Sequence, residues 1–168
     1  MDVDGNGAIT RDDLQGLGAR LLVGFGASPA GERGRRVADS FDSLWDTISA
    51  AADLDRDSRI TPDEYRASVI ASFIHGDRFE PVFRPAIEAV LAVTDTDDDG
   101  LVQRQEFELL HEAFGRSGED SEHAFAALDL DGDGVLSREE LFHAARDYYT
   151  SADPDAVGNL FFGRLSSS

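Results

Sequence analysis

The chain has no cysteine and no lysine: all 15 of its Lys-or-Arg cations are arginine, and its only methionine is Met1. Without cysteine there is no disulfide framework, no thiolate nucleophile and no zinc site of the Cys type. Cations are scarce against 34 Asp and Glu, giving a net charge of -19. Nucleic acid and anionic membrane would both repel such a surface, whereas free cations are drawn to it. No apolar run approaches the roughly 20 residues a membrane-spanning helix needs. The first residues are acidic rather than basic-then-apolar, so no secretory signal is recognisable and the expected location is cytoplasmic. The four histidines, His75, His111, His123 and His143, have no cysteine partner and no Ser-His-Asp signature, so enzymatic activity is not expected.

What the chain does have is a core. Its 168 residues are 41% apolar with 11 Phe, which excludes a disordered acidic tail and allows one domain or two small intimate lobes. It also has a repeat. Asp-x-Asp-x-Asp/Asn with a carboxylate at position 12 occurs four times: DVDGNGAITRDD (2–13), DLDRDSRITPDE (53–64), DTDDDGLVQRQE (95–106) and DLDGDGVLSREE (129–140). This is the register of the EF-hand calcium loop. Ca2+ is a hard cation that takes six to eight oxygens, several of them anionic. Positions 1, 3, 5 and 12 supply side-chain oxygens, position 7 a backbone carbonyl, and position 9 a side chain or a water. Position 6 turns into positive φ, where glycine is unstrained.

The candidate ligands follow from that register. In loop 1 they are Asp2, Asp4, Asn6, the carbonyl of Ala8, and Asp13. Loop 2 supplies Asp53, Asp55, Asp57, the carbonyl of Arg59, and Glu64. Loop 3 supplies Asp95, Asp97, Asp99, the carbonyl of Leu101, and Glu106. Loop 4 supplies Asp129, Asp131, Asp133, the carbonyl of Val135, and Glu140. An apolar residue stands at position 8 of every loop (Ile9, Ile60, Val102, Leu136), so the loops are expected to pair 1 with 2 and 3 with 4 through short antiparallel bridges. Another follows position 12 (Leu14, Tyr65, Phe107, Leu141) and opens a helical stripe such as Leu14, Leu17, Leu21, Phe25 or Phe107, Leu110, Phe114. Entering helices show matching faces: Phe41, Leu44, Trp45 and Ile48 before loop 2, Ile87, Val90 and Leu91 before loop 3, Phe125 and Leu128 before loop 4.

The loops are not equivalent. Loops 3 and 4 keep every expected ligand type, with Gly100 and Gly134 at the turn. Loop 2 has Ser58 there instead, a cost of roughly 1 kcal/mol in the left-handed region that weakens the site without abolishing it. Loop 1 ends in Asp13, one methylene shorter than Glu. A contracted shell suits the smaller Mg2+, so a mixed Ca2+/Mg2+ site is expected there and up to four ions in all. Only Met1 precedes loop 1, so its entering helix is missing from the chain as it stands; the reading here is that the natural protein begins earlier.

The loop starts are 51, 42 and 34 residues apart. The extra length in the first pair falls in GFGASPAGERGRR (24–36), read as a bend between two helices. Between the halves, HGDRFEPVFRP (75–85) carries two prolines, which argue against one continuous central helix and for lobes that pack together. The expected architecture is all-α: EF-hands 1 and 2 in residues 1–76, EF-hands 3 and 4 in 77–150, and a C-terminal segment, 151–168, folded back on the core. Four loops, a widened first pair and the ending DPDAVGNLFFGRL (153–165) resemble the calerythrin-like prokaryotic EF-hand proteins, relatives of the sarcoplasmic calcium-binding proteins. The resemblance covers essentially the whole chain and implies a compact all-helical protein that buffers or transports Ca2+.

The alternative to a buffer is a sensor that opens an apolar groove to a target protein. Sensor grooves are commonly rich in Met; here the apolar residues are Phe, Leu, Val and Ile, suited to a fixed core, and nothing indicates a protein target. Leu160, Phe161, Phe162 and Leu165 are expected to fill the groove a sensor would offer. The candidate ligands include 15 of the 34 acids, so their mutual repulsion is expected to loosen the metal-free fold and couple folding to metal binding.

Overall fold

The computed structural model describes residues 5–65, 67, 68, 79–115, 119–150, 158 and 160. Helices α1 (Arg11–Gly24), α2 (Glu32–Ala52), α3 (Pro62–Glu64), α4 (Phe79–Thr94), α5 (Arg104–Ala113), α6 (Glu119–Leu128) and α7 (Arg138–Thr150) are joined by the loops. Two dipeptide strands, β1 (Leu101–Val102) and β2 (Leu136–Ser137), complete the described residues. The fold is all-α, as the stripes predict.

The loops pair as their position-8 residues require. Ile9 and Ile60 form an isolated antiparallel bridge, with N–H···O distances of 2.9 and 2.8 Å. β1 and β2 pair antiparallel with Val102 opposite Leu136. Ile60, Val102 and Leu136 are buried, so each bridge also caps the core below it.

Apolar spacing sets the packing. Val37, Phe41, Leu44, Trp45 and Ile48 recur every three to four residues on α2, and all are buried. That face meets α4, whose Phe83, Ile87, Val90 and Leu91 are buried in turn. α1 packs on α2 and also on α5, and α4 reaches α5 and α7. The two halves therefore share one apolar cluster. Leu14, Leu21 and Leu22 of α1 are buried, so the helix leaving loop 1 has its apolar face covered by α2 and α5. Phe79 stacks on Phe83 at 4.7 Å between centroids and meets Phe142 of α7 at 6.0 Å. The Arg84 guanidinium lies 4.1 Å from the Phe142 ring centroid and pairs with Glu80 at 2.6 Å.

The prolines of 75–85 do not act as read from the sequence. Pro81 and Pro85 both lie inside α4. Pro81 is the third residue of the helix as described, among the N–H positions that lack an intrahelical partner. Pro85 gives up one helical hydrogen bond, and burial of the flanking Phe83, Ala86 and Ile87 offsets that loss. Residues 75–78 of the expected break lie outside the described residues. The lobes do pack together.

The widened first pair is closed by a bend over 25–31. Gly26 takes φ 59° and the Ala27 N–H donates to the Leu22 carbonyl at 2.8 Å. α2 then starts hard against the bend: a Cβ on Gly34 would lie 2.7 Å from Pro29 Cα. Gly34→Ala is therefore expected to destabilise the fold by about 1–3 kcal/mol, read as a lower thermal midpoint of the Ca2+-loaded protein. An unchanged midpoint would show that the bend yields freely.

Candidate metal centres

Loops 2, 3 and 4 each fold around their first carboxylate. In loop 3, Asp95 Oδ1 accepts from the Asp99 N–H at 3.2 Å and Oδ2 from the Gly100 N–H at 3.0 Å. Asp53 and Asp129 hold the corresponding amides of Asp57 and Ser58 and of Asp133 and Gly134, all at 3.0–3.1 Å. The position-5 oxygen accepts from the position-7 N–H in all four loops: Asn6 from Ala8, Asp57 from Arg59, Asp99 from Leu101, Asp133 from Val135, at 2.8–3.1 Å. These turns gather carboxylates that would otherwise repel. Asp53, Asp55 and Asp57 bring one oxygen each within 4.8 Å of one another, as do Asp95, Asp97 and Glu106, and Asp129, Asp131 and Glu140. A dense, hard, anionic oxygen set of this kind fits Ca2+. Asp2 and Asp4 of loop 1 lie outside the described residues, while Asn6, Ala8 and Asp13 lie within them.

The twelfth-position carboxylate does more than its ligand role predicts. Glu64 Oε1 accepts from the Leu54 N–H at 3.1 Å and Oε2 from the Thr61 N–H at 3.0 Å, joining the start of the loop to its end. Glu106 makes the same clasp between Thr96 and Gln103 (2.7 and 3.1 Å), and Glu140 between Leu130 and Ser137 (2.9 and 2.8 Å). In loop 1, Asp13 Oδ2 accepts from the Thr10 N–H at 2.8 Å. Each is the third residue of its helix and closes a box with the N-cap residue. Thr-x-x-Asp, Thr-x-x-Glu and Ser-x-x-Glu are legible in the sequence and would have disclosed it. The Thr61 N–H and hydroxyl hold the Glu64 carboxyl below its ordinary range. Burial opposes the charge on Glu140, yet the Ser137 N–H and hydroxyl bring it below its ordinary value as well. At Asp55, desolvation and repulsion from Asp57, Glu64 and Asp53 outweigh the Asp57 N–H and push the carboxyl up.

Position 6 takes positive φ in every loop: Gly7 at 86°, Ser58 at 65°, Gly100 at 85° and Gly134 at 87°. So does position 4, which the register did not flag: Gly5, Arg56, Asp98 and Gly132, at 59–74°. Glycine at that position in loops 1 and 4 was the available signal. Loop 2 thus carries two non-glycine residues in the left-handed region. Of loops 2, 3 and 4, loop 3 is the most enclosed, with Asp95 and Glu106 only 2% and 6% exposed, whereas in loop 2 Asp55 and Asp57 are exposed and Asp53 and Glu64 half-buried. Buried carboxylates of like charge are costly unless a cation joins them. Away from the loops, His111 is buried with its ring 4.2 Å from that of Phe107, and His143 is exposed.

A family model described as EF hand matches residues 122–141, the loop 4 region. A solved calcium-binding protein of Streptomyces coelicolor is 36% identical over 89% of this chain and 90% of its own, with a TM-score of 0.80. Calerythrin of Saccharopolyspora erythraea is 28% identical over 88% of this chain and 85% of its own length. The sarcoplasmic calcium-binding protein of the crab Scylla paramamosain is 28% identical over 98% and 89%. With the loop register, the paired bridges and the shared helical core, these likenesses place the chain in the calerythrin-like prokaryotic branch of the EF-hand sarcoplasmic calcium-binding proteins, a family of calcium-binding proteins and not of enzymes.

Proposed function

We propose that the chain is a cytoplasmic Ca2+ buffer or transporter that takes up to four ions, with folding coupled to their binding. The observation that carries this reading is the repeated carboxylate cage, three oxygens within 4.8 Å in each of loops 2, 3 and 4. Asp53, Asp55, Asp57 and Glu64 hold the ion in loop 2, Asp95, Asp97, Asp99 and Glu106 in loop 3, and Asp129, Asp131, Asp133 and Glu140 in loop 4. The carbonyls of Arg59, Leu101 and Val135 complete them. Asp2, Asp4, Asn6, Asp13 and the Ala8 carbonyl hold Ca2+ or Mg2+ in loop 1. The bound ion supplies positive charge that joins carboxylates which otherwise repel; the loops, already held by their own amides, supply the geometry.

Buffering rather than sensing is supported by how the apolar surface is used. Two described residues of the C-terminal segment meet the rest of the fold: Gly158 is buried and donates its N–H to Asp147 Oδ2 at 3.1 Å, and Leu160 packs on the core. A Cβ on Gly158 would sit 2.8 Å from the Asp147 carbonyl carbon, so the backbone at Gly158 lies as close to α7 as a glycine allows. Phe161, Phe162 and Leu165 of the proposed plug lie outside the described residues. A sensor role is the second reading, favoured by the Streptomyces relative, which is described in terms of prokaryotic calcium-mediated regulation.

Three outcomes are expected. Calorimetric titration of the metal-free protein should give up to four Ca2+ per chain and a thermal midpoint that rises with calcium; no heat and no rise would end the proposal. Ser58→Gly relieves a left-handed non-glycine residue worth about 1 kcal/mol and should tighten loop 2 about fivefold; weaker binding would mean that the turn is not limiting. Gly158→Ala should lift the C-terminal segment from α7, read as faster proteolysis after residue 150, and unchanged cleavage would count against a docked tail.

A further inference from the structure

Asn6 differs from the other three position-5 residues in a way that its neighbour turns to account. Asp57, Asp99 and Asp133 each have two side-chain oxygens, so one can accept the position-7 N–H while the carboxylate still offers acceptor capacity to a cation. An asparagine has one oxygen with two lone pairs. In this structure the Ala8 N–H donates to Asn6 Oδ1 at 3.1 Å, and Nη2 of Arg59 donates to the same atom, also at 3.1 Å. Both acceptor directions of that oxygen are thereby engaged, one of them by a guanidinium.

Arg59 belongs to loop 2. It is position 7 there, the residue whose backbone carbonyl is a candidate ligand, and its N–H is fixed by Asp57 Oδ1 at 2.8 Å. The next residue, Ile60, is bridged to Ile9, which sets the Arg59 backbone beside loop 1 and gives its side chain a short path to Asn6. The other pair shows a different arrangement. Arg138 of loop 4 lies 3.5 Å from Asp95 Oδ2 of loop 3, the oxygen that also holds the Gly100 N–H, while Oδ1 accepts from the Asp99 N–H at 3.2 Å, so that arginine engages one of two carboxylate oxygens rather than a sole one. Arg11 and Arg104 are turned elsewhere, Arg11 to Asp42 and Arg104 over the Phe125 ring. Arg59 alone among these arginines sits on the sole side-chain oxygen of a candidate ligand.

We propose that Arg59 is an internal competitor for loop 1: its guanidinium occupies the Asn6 oxygen that a metal ion needs, and loop 1 fills only as Arg59 swings away. Because the same residue lends its carbonyl to loop 2, it links the two sites of the first pair, and loop 1 is the weaker of them. The inference rests on the reading of loop 1 as a metal site.

The test follows the backbone amide of Gly7, in loop 1, and the Arg59 Nε–Hε signal by NMR during a Ca2+ titration of the metal-free protein, wild type and Arg59→Gln. Glutamine keeps the backbone carbonyl and removes the charge. In the wild type the Arg59 side-chain signal should be restrained before calcium and loosen in step with the Gly7 transition. In R59Q the Gly7 transition should move to about three- to tenfold lower Ca2+, the range of one ordinary hydrogen bond lost at an exposed site. A Gly7 transition at the same Ca2+ in both proteins, or an Arg59 signal that is mobile throughout, overturns the competitor while leaving loop 1 a metal site. A Gly7 amide that ignores calcium to millimolar levels in both overturns the loop 1 reading, and the inference with it.

Discussion

Repulsion between carboxylates gathered at close range is the constraint to which the rest of the molecule answers. A carboxylate drawn within 4.8 Å of two others must be held there by something, and here it is held by backbone N–H groups of its own loop. Those amides fix the direction of each oxygen but cannot cancel its charge. Arginine cancels some of it locally, as Arg138 does at Asp95. The remainder lies in a chain of net charge -19, and in loop 3 it lies where Asp95 and Glu106 are buried. On the proposed reading, a divalent cation supplies the compensation, and hence the stability, that the chain's few cationic side chains do not.

The helices transmit that local condition to the core. The twelfth-position carboxylate is the third residue of the exiting helix and is also the clasp that joins the two ends of the loop. Any rearrangement of Glu64, Glu106 or Glu140 around an ion therefore acts on a helix N-terminus. The position-8 bridges, Ile9 with Ile60 and Val102 with Leu136, fasten the loops in pairs, and the buried members of each bridge rest on the shared core. α1 packs on α5 and α2 on α4, so the two halves meet directly through their helices.

Much of this was legible because the ligand register is written in consecutive residues. The loops, their pairing, the buried faces of α2, α4 and α5, and the all-α class all follow from spacings of one to four residues. Other features depend on tertiary geometry that spacing does not carry. Pro85 reads as a helix breaker until its flanks are seen packed in the core. Arg56 and Asp98 do not advertise left-handed backbone as Gly5 and Gly132 do. The contact between Arg59 and Asn6 joins residues 53 apart through a long flexible side chain, and the α1–α5 contact crosses from one half to the other.

The claim that calcium closes the core rather than opening it can be met directly by the fluorescence of the apolar-surface dye ANS during a Ca2+ titration of the metal-free protein, with Mg2+ at about millimolar concentration. A signal that falls as calcium binds is the predicted result: a loosened, self-repelling chain buries its apolar surface around the ions. A signal that rises would mean that calcium exposes an apolar groove, and the buffer account would give way to a sensor with a protein target.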